Sequence, residues 1–117
     1  MIIDLIAGAR PNFIKIAAII DAIDNFGENK INYRLIHTGQ HYDKNMSDRF
    51  FHELEIPFPD FNLEAGGGTQ AEQTAKIMIG YESLLLNERI DLCLVVGDVT
   101  STMACSIVAK KMGLKVA

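Results

Sequence analysis

Short apolar runs alternate along this chain with longer segments that carry helix-start signals, and this alternation limits the possible folds more than any other feature. The clearest run is DLCLVV at residues 91–96, in which apolar residues follow one another without polar alternation. Strands of this kind are expected where both faces of a sheet are covered. Alternating strands and helices favour a parallel sheet with helices on both sides. We therefore predict an α/β fold, a Rossmann-like doubly wound parallel sheet.

The predicted elements follow the order β-α-β-α-(β)-α-β-α-β. Strands are predicted near 2–7, 31–37, 91–96 and 114–117, with a short strand at 61–63. Helices are predicted from Pro11 to about Asn25, from a cap at Asp43 through Leu54, from Thr69 to about Glu88, and after a cap at Thr100 or Ser101. In the common order of such sheets, strand 1 lies beside strand 4, so the loops after these strands share one crevice.

The last two helices have apolar faces that the sequence pattern predicts to be buried. The earlier one begins with a capping box, Thr69 to Glu72. Its expected buried residues are Ala71, Ala75, Met78, Ile79, Leu85 and Leu86. Those of the final helix are Met103, Ala104, Ile107, Val108 and Met112.

The composition is typical of one soluble globular unit and excludes several classes of partner. The 117 residues include 11 Lys plus Arg and 15 Asp plus Glu, and the resulting charge of −4 argues against general nucleic-acid binding. No stretch approaches the roughly 20 apolar residues of a membrane span, and Asp4 interrupts the first apolar run, unlike a signal peptide. Cys93 and Cys105 lie in apolar segments, which predicts buried, reduced thiols of a cytoplasmic protein and no metal site.

The C-terminal residues 114–117 read as the front of a buried strand. Domain ends are usually exposed rather than buried in a sheet. We therefore expect this chain to be part of a longer protein.

Two loops carry the residue types expected at an anion-binding crevice. Gly8 allows a tight turn, and Pro11 opens a helix whose N–H groups and dipole favour an anion. Arg10 and Lys15 flank this helix start and are candidates for a phosphate or diphosphate clamp. Asp98 follows the fourth strand and is a candidate for the same crevice. The alternatives are two solvated cations and a carboxylate that caps the next helix.

Two further loops carry weaker signals. Gln40 and His41 follow the second strand and offer hydrogen-bonding groups for a sugar or base, although a loop histidine is more often a surface residue. His37, inside the strand, is expected to pack. The glycines at 66–68 begin a G-x-G-x-x-A pattern, but they do not follow the first strand, and we interpret them as a mobile loop.

Four motifs in this order resemble the non-hydrolysing UDP-N-acetylglucosamine 2-epimerases. They are GARPNFIKIAAI (8–19), HTGQHYD (37–43), GTQAEQTAKIM (68–78) and LVVGDVTSTMA (94–104). The resemblance implies a GT-B arrangement, in which two Rossmann-like domains face each other across a cleft. Residues 1–117 would form the first part of the N-terminal domain. It also implies interconversion of UDP-GlcNAc and UDP-ManNAc by elimination and re-addition of UDP through 2-acetamidoglucal, without a metal or redox cofactor.

The resemblance further implies roles for five residues. Arg10 and Lys15 would bind the nucleotide sugar and stabilise the departing diphosphate. Asp98 would be an active-site carboxylate, in proton transfer or orientation, with Gln40 and His41 near the cleft. The implied parent protein is a bacterial homodimer whose product feeds cell-envelope polysaccharide synthesis. Further catalytic groups of the family would follow residue 117, so the isolated chain is expected to be inactive.

The chain departs from many family members at several positions: Ala9, Asn12, Ala18 and Val99. Residues 66–68 also lack the arginine that some bacterial members use for activation by a second UDP-GlcNAc, which puts that regulation in doubt. Two alternatives stay open. One is another GT-B enzyme, a glycosyltransferase that uses a nucleotide sugar, and the other is a non-catalytic α/β half-domain that binds a partner.

Overall fold

Every strand pairing in the part of the chain that the structure describes is parallel. The computed structural model describes residues 1–25, 31–39, 48–97 and 100–117. Their strands are β1 (Ile2–Ala7), β2 (Asn32–His37), β3 (Phe61–Asn62), β4 (Leu92–Val95) and β5 (Lys115–Val116). Their helices are α1 (Arg10–Asn25), α2 (Asp48–Glu53), α3 (Gln70–Asn87) and α4 (Thr100–Lys111). The predicted Asp43 cap lies outside the described residues.

The sheet order is β3-β2-β1-β4-β5, which confirms the predicted neighbourhood of the first and fourth strands. Leu5 on the central strand β1 pairs with Leu35 of β2 on one side and with Leu94 of β4 on the other. The chain order of the strands reverses between β1 and β4. In sheets of this kind, ligands bind beyond the carboxyl ends of the strands at such a reversal. The topology therefore predicts a ligand site near the carboxyl ends of β1, β2 and β4.

Helices cover both faces of the sheet, as expected for strands without polar alternation. Successive side chains of a strand point to opposite faces, and Leu5 and Ile6 accordingly belong to two different cores. The core on the Leu5 side includes Phe13, Ile16 and Ile20 of α1 and Phe50 and Phe51 of α2. The core on the Ile6 side includes Ile77, Tyr81 and Leu85 of α3 and Ala104, Cys105 and Val108 of α4. The doubly wound arrangement is confirmed.

The capping box predicted for the third helix is present. The Thr69 hydroxyl accepts a hydrogen bond from the Glu72 N–H at 3.1 Å, and Glu72 Oε1 accepts one from the Thr69 N–H at 3.1 Å. The backbone hydrogen bond from Thr69 lowers the pKa of the Glu72 carboxyl. These reciprocal bonds satisfy two of the N–H groups that a helix start leaves unpaired.

The predicted apolar faces of α3 and α4 were partly wrong. Ile79 and Leu86 of α3 are 70% and 71% exposed, and Met103 of α4 is 51% exposed. Ile77 and Tyr81, which the prediction left out, are instead fully buried. Both helices carry apolar residues around most of their circumference, so periodicity alone does not select the buried stripe.

A buried ion pair links the two central strands, and the sequence reasoning missed it. Asp4 and Arg34 stand opposite each other in the register of β1 and β2. Arg34 Nε donates to Asp4 Oδ1 at 2.6 Å, and Arg34 Nη2 donates to Asp4 Oδ2 at 2.8 Å. The Tyr81 hydroxyl donates to Asp4 Oδ2 at 2.8 Å, and Arg34 Nη1 contacts Glu88 Oε2 at 3.2 Å. We call Asp4, Arg34 and Tyr81 the charged cluster.

The prediction of buried thiols is confirmed for both cysteines, which are unpaired and buried. Burial, with a further contribution from Asp4, raises the pKa of the Cys93 thiol to about 11. Burial also raises the pKa of Cys105. Both thiols are therefore uncharged and unreactive near neutral pH. In the described part of the chain, no helix combines the length and the hydropathy that crossing a membrane requires.

Candidate functional site

The β1–α1 turn is held by a side chain from inside the helix that it precedes. Asn12 Oδ1 accepts hydrogen bonds from the Gly8 N–H at 3.1 Å and the Ala9 N–H at 3.0 Å. The Asn12 N–H donates to the Ala9 carbonyl at 2.9 Å, and the Asn12 residue is only 4% exposed. The amides of Gly8 and Ala9 are thus occupied within the chain. The sequence predicted that backbone N–H groups at this helix start would bind an anion. Because these two amides are occupied, side chains would have to provide more of the binding.

Gly8 is required by close packing. Its backbone lies outside the left-handed region, but an added Cβ would stand 2.2 Å from Ser101 Oγ and 2.8 Å from Thr38 Oγ1. These two hydroxyls lie 2.7 Å apart in a hydrogen bond, and both residues are buried, Thr38 fully and Ser101 to within 1%. Gly8 follows β1, Thr38 follows β2 and Ser101 lies in the first turn of α4. We call these three residues the hydroxyl clasp.

The turn after β4 approaches the same region. Gly97 has a φ of +78°, in the left-handed region that favours glycine, and an added Cβ would lie 3.1 Å from Asn12 Nδ2. The Thr102 hydroxyl donates to the Val96 carbonyl at 2.9 Å, which ties the start of α4 to the end of β4. The loops after β1 and β4 therefore touch, as their adjacent strands predicted.

His37 packs in the strand, as predicted. Its ring is 6% exposed and meets the Phe13 ring edge-on at a centroid distance of 5.0 Å. Its Nδ1 accepts a hydrogen bond from the Gly39 N–H at 3.0 Å, so the ring proton of the neutral form is assigned to Nε2. Burial lowers the pKa of His37 below its ordinary value. The ring therefore supports the loop after β2 as a neutral hydrogen-bond acceptor.

Arg10 and Lys15 are both exposed on α1, at its first residue and in its second turn. The Arg10 guanidinium lies 4.9 Å from the centroid of the Phe50 ring on α2, a cation–π contact. Five residues along a helix correspond to a rotation of roughly 140°. The two cations can therefore meet at one ligand only through their long side chains, which lean toward the helix start. The clamp formed by both stays a prediction.

Three predicted site residues lie outside the described residues: Gln40, His41 and Asp98. In the sequence, Gln40 directly follows Gly39, and Asp98 directly follows Gly97. The sequence analysis identified the loops that contain these three residues. It missed Asn12, Thr38 and Ser101 as the groups that connect neighbouring loops. The close sequence spacing of Asn12 to Gly8 was the available signal, since Asn side chains commonly bond to nearby backbone.

The topology and these contacts define the class of the protein: an α/β protein with a parallel sheet whose strand order reverses between β1 and β4, the point at which such proteins bind ligands. The family profile for UDP-N-acetylglucosamine 2-epimerase matches residues 24–117, well over half of the chain. The chain belongs to the UDP-N-acetylglucosamine 2-epimerase family.

Relatives from archaea and bacteria share this sequence pattern. UDP-N-acetylglucosamine 2-epimerase of Methanocaldococcus jannaschii is 42% identical over 117 residues, which is 100% of this chain and 31% of the relative. UDP-2,3-diacetamido-2,3-dideoxy-D-glucuronate 2-epimerase of Pseudomonas aeruginosa is 39% identical over 112 residues, 96% of this chain and 31% of that protein. The chain thus spans less than a third of the length of these relatives.

Solved structures support the same assignment. The M. jannaschii UDP-GlcNAc 2-epimerase in complex with UDP-GlcNAc and UDP matches with a TM-score of 0.90 and 42% identity, over 100% of this chain and 32% of that one. The Neisseria meningitidis UDP-GlcNAc 2-epimerase bound to UDP-GlcNAc matches with a TM-score of 0.82 and 28% identity, over 100% of this chain and 31% of that one. The Rossmann-like fold expected from the sequence is confirmed.

Proposed function

We propose that residues 1–117 are the first part of the N-terminal domain of a GT-B epimerase that interconverts UDP-GlcNAc and UDP-ManNAc. The observation that carries this proposal is the match over the whole chain, at 42% identity and a TM-score of 0.90, to an epimerase in complex with UDP-GlcNAc and UDP. The four sequence motifs, present in the order typical of the family, support it further. The complete protein, not this chain alone, would carry the activity.

The proposed reaction needs proton transfer and charge stabilisation. A base removes the C2 proton while the C1–O bond to UDP breaks, which gives 2-acetamidoglucal and UDP. UDP then re-adds at C1 as a proton is delivered to the opposite face of C2. Protons and electrons balance over the two steps without an external oxidant or reductant, in keeping with the predicted absence of a cofactor.

In this scheme, Arg10 and Lys15 stabilise the negative charge that develops on the departing diphosphate. Their exposure at the start of α1 supports this role, because both remain accessible to a ligand at the carboxyl edge. Asp98 acts in proton transfer or substrate orientation. Gln40 and His41 donate or accept hydrogen bonds at the ligand.

The activity test uses the full-length protein with UDP-GlcNAc and no acceptor, in D₂O. Formation of UDP-ManNAc with deuterium at C2 is the expected result, because the C2 proton exchanges with solvent during the reaction. UDP transfer that requires an added acceptor would favour the glycosyltransferase alternative. Binding of UDP-GlcNAc without epimerisation or exchange would favour the non-catalytic half-domain.

Site variants test the assigned roles. Asp98→Asn should lower turnover by roughly 10²–10⁴-fold at an unchanged melting temperature. Arg10→Ala should weaken UDP binding by about 1.5–3 kcal/mol, the contribution of a charge-assisted hydrogen bond. Lys110→Ala, which removes an exposed cation near the end of α4, is the matched control. Equal UDP affinity in Arg10→Ala and Lys110→Ala would contradict the clamp.

A second candidate substrate follows from the P. aeruginosa relative, which is named for UDP-2,3-diacetamido-2,3-dideoxy-D-glucuronate and is 39% identical. The same C2 chemistry applies to that sugar. Parallel assays with both UDP-sugars identify the substrate by the ratio of their kcat/KM values. We propose UDP-GlcNAc as the preferred substrate, because more of the similar proteins carry its name.

We also propose that the complete protein is a cytoplasmic homodimer that serves cell-envelope polysaccharide synthesis. The exposed apolar side chains Ile79 and Leu86 on α3 and Met103 and Ile107 on α4 support an association surface. Light scattering of the full-length protein should give twice the monomer mass. A second preparation with Ile79→Lys and Leu86→Lys should give the monomer mass if these residues belong to the interface.

A further inference from the structure

We propose that the hydrogen bond between Thr38 and Ser101 is a positioning device that holds the loops of the crevice in register for catalysis. This inference rests on the proposed epimerase function. Thr38 and Ser101 are separated by 63 positions in the sequence, yet their hydroxyl oxygens lie 2.7 Å apart. The bond joins the end of β2 to the start of α4, the helix that follows β4. The strands β2 and β4 are not neighbours in the sheet, because β1 lies between them.

Gly8 places a third loop against the same bond. Its missing side chain leaves room for Ser101 Oγ, which would stand 2.2 Å from an added Cβ. The Thr38 N–H donates to the Ala7 carbonyl at 3.0 Å, so Thr38 is itself fastened to the end of β1. The hydroxyl clasp therefore brings together three chain segments. Gly8 follows β1, Thr38 follows β2, and Ser101 lies in the first turn of α4, the helix that follows β4.

These three segments carry the predicted site residues at short sequence distances. Arg10 follows Gly8 by two positions, Gln40 follows Thr38 by two, and Asp98 precedes Ser101 by three. A change of 1 Å in the position of a reacting group can lower an enzymatic rate by about 10²-fold. The hydroxyl clasp therefore lies within three sequence positions of each of these predicted site residues.

The chemistry of the pair suits this role better than a role in stability alone. Burial of a hydroxyl is costly unless it is hydrogen-bonded, and each hydroxyl of this pair has the other as a partner at 2.7 Å. A hydrogen bond adds what apolar packing lacks, a fixed distance and direction between its two partners. We infer that the pair serves geometry at the crevice.

The test compares Thr38→Val, Ser101→Ala and the double variant in the full-length protein. Each single variant should lower kcat by roughly 10–100-fold, with a smaller change in KM and a lower melting temperature. The double variant completes a mutant cycle that measures the coupling between the two residues. Its kcat should stay as low as in the worse single variant, because the two residues act as one unit. Thr74→Val, which removes a hydroxyl that donates to Gln70 O at 2.8 Å on α3, is the control and should keep wild-type kcat.

A second measurement reports on position without using activity. In Ser101→Ala, amide hydrogen exchange should become faster at Gly39 and Ala65, whose N–H groups bond to His37 Nδ1 and to the Thr38 carbonyl. The positioning role is rejected if the kcat losses of the two single variants multiply in the double variant, which would show that the residues act independently, or if exchange at both amides is unchanged. Lack of epimerisation by the wild-type protein would reject the proposed function, and the exchange measurement would still decide on the clasp.

Discussion

The charged cluster and the hydroxyl clasp are two buried polar groups on one sheet, and they differ in almost every physical respect. Asp4 and Arg34 carry full charges in the middle of adjacent strands, whereas Thr38 and Ser101 are neutral and stand at the carboxyl edge. Asp4 receives three hydrogen bonds, two from Arg34 and one from Tyr81. The clasp contains a short hydrogen bond between the hydroxyls of Thr38 and Ser101.

The difference separates the charges that serve the fold from those that serve a ligand. A buried charge is tolerated only when its partners satisfy it, and those of Asp4 and Arg34 are satisfied by their own chain. For Arg34, burial acts against the charged form, but the hydrogen bonding and charge of Asp4, with further contributions from Glu88 and Tyr81, together outweigh burial and raise the pKa of the guanidinium. Arg10 and Lys15 at the edge stay exposed, where a negatively charged ligand can reach them. The same separation predicts different responses to substitution.

The largest effect is expected from Arg34→Met. It leaves Asp4 buried without its main partner, which should lower the free energy of unfolding by about 3–5 kcal/mol. Urea unfolding of the protein measures this change. The double variant Asp4→Leu with Arg34→Met removes both charges and should recover most of the loss. If Arg34→Met lowers the free energy of unfolding by less than about 1 kcal/mol, this buried pair contributes no more to stability than a surface ion pair does.

The next effect concerns the third member of the charged cluster. Tyr81→Phe removes the hydroxyl that donates to the Asp4 carboxylate, and a hydrogen bond to a charged group contributes about 1.5–3 kcal/mol. Tyr33→Phe, at a half-buried tyrosine of β2, is the matched control and should change stability little. Thermal unfolding of both variants provides the comparison. Similar losses in the two would show that the Tyr81 hydroxyl contributes nothing specific to the cluster.

At the hydroxyl clasp, Gly8→Ala should destabilise the protein by about 1–3 kcal/mol through overpacking. Ser101→Ala in the same chain should restore part of the loss, because it removes the oxygen that the new Cβ meets at 2.2 Å. Gly80→Ala is the control, since its Cβ would meet the Leu63 side chain with the flexible Cδ2 nearest, at 3.1 Å. Calorimetric melting of the three variants checks this order. Equal melting temperatures for Gly8→Ala and wild type would contradict the close packing.

The smallest effect is a pH dependence of stability that comes from His37, the last residue of β2. Burial lowers the pKa of His37 in the folded protein, so the unfolded chain binds this proton more readily. The stabilisation is therefore present above the ordinary pKa of 6.5 and is lost as pH falls below it. The free energy of unfolding should fall between about pH 7.5 and about pH 5.5, and His37→Asn should reduce that fall. His52→Gln, at an exposed histidine, should leave it unchanged.

Much of the candidate site followed from motifs that are local in sequence. The loops after β1 and β4 were predicted to be neighbours, and they are, because the strand order brings β1 and β4 together. The roles of Arg10, Lys15, Gln40, His41 and Asp98 remain predictions. Asn12 was missed as the residue that holds the β1–α1 turn, since its bonds depend on the exact path of that turn.

The local elements were readable because their causes are local. The strand β1 was predicted at 2–7 and runs from Ile2 to Ala7, and the Thr69 capping box depends on groups three residues apart. The buried stripe of α3 was not readable, because Ile79 and Tyr81 are both compatible with an apolar face. The partners of Asp4, 30 and 77 residues away, and the 63-residue separation of Thr38 from Ser101 depend on topology. Local propensity acts over a few residues, whereas these contacts exist only once the strands have assembled in the order β3-β2-β1-β4-β5.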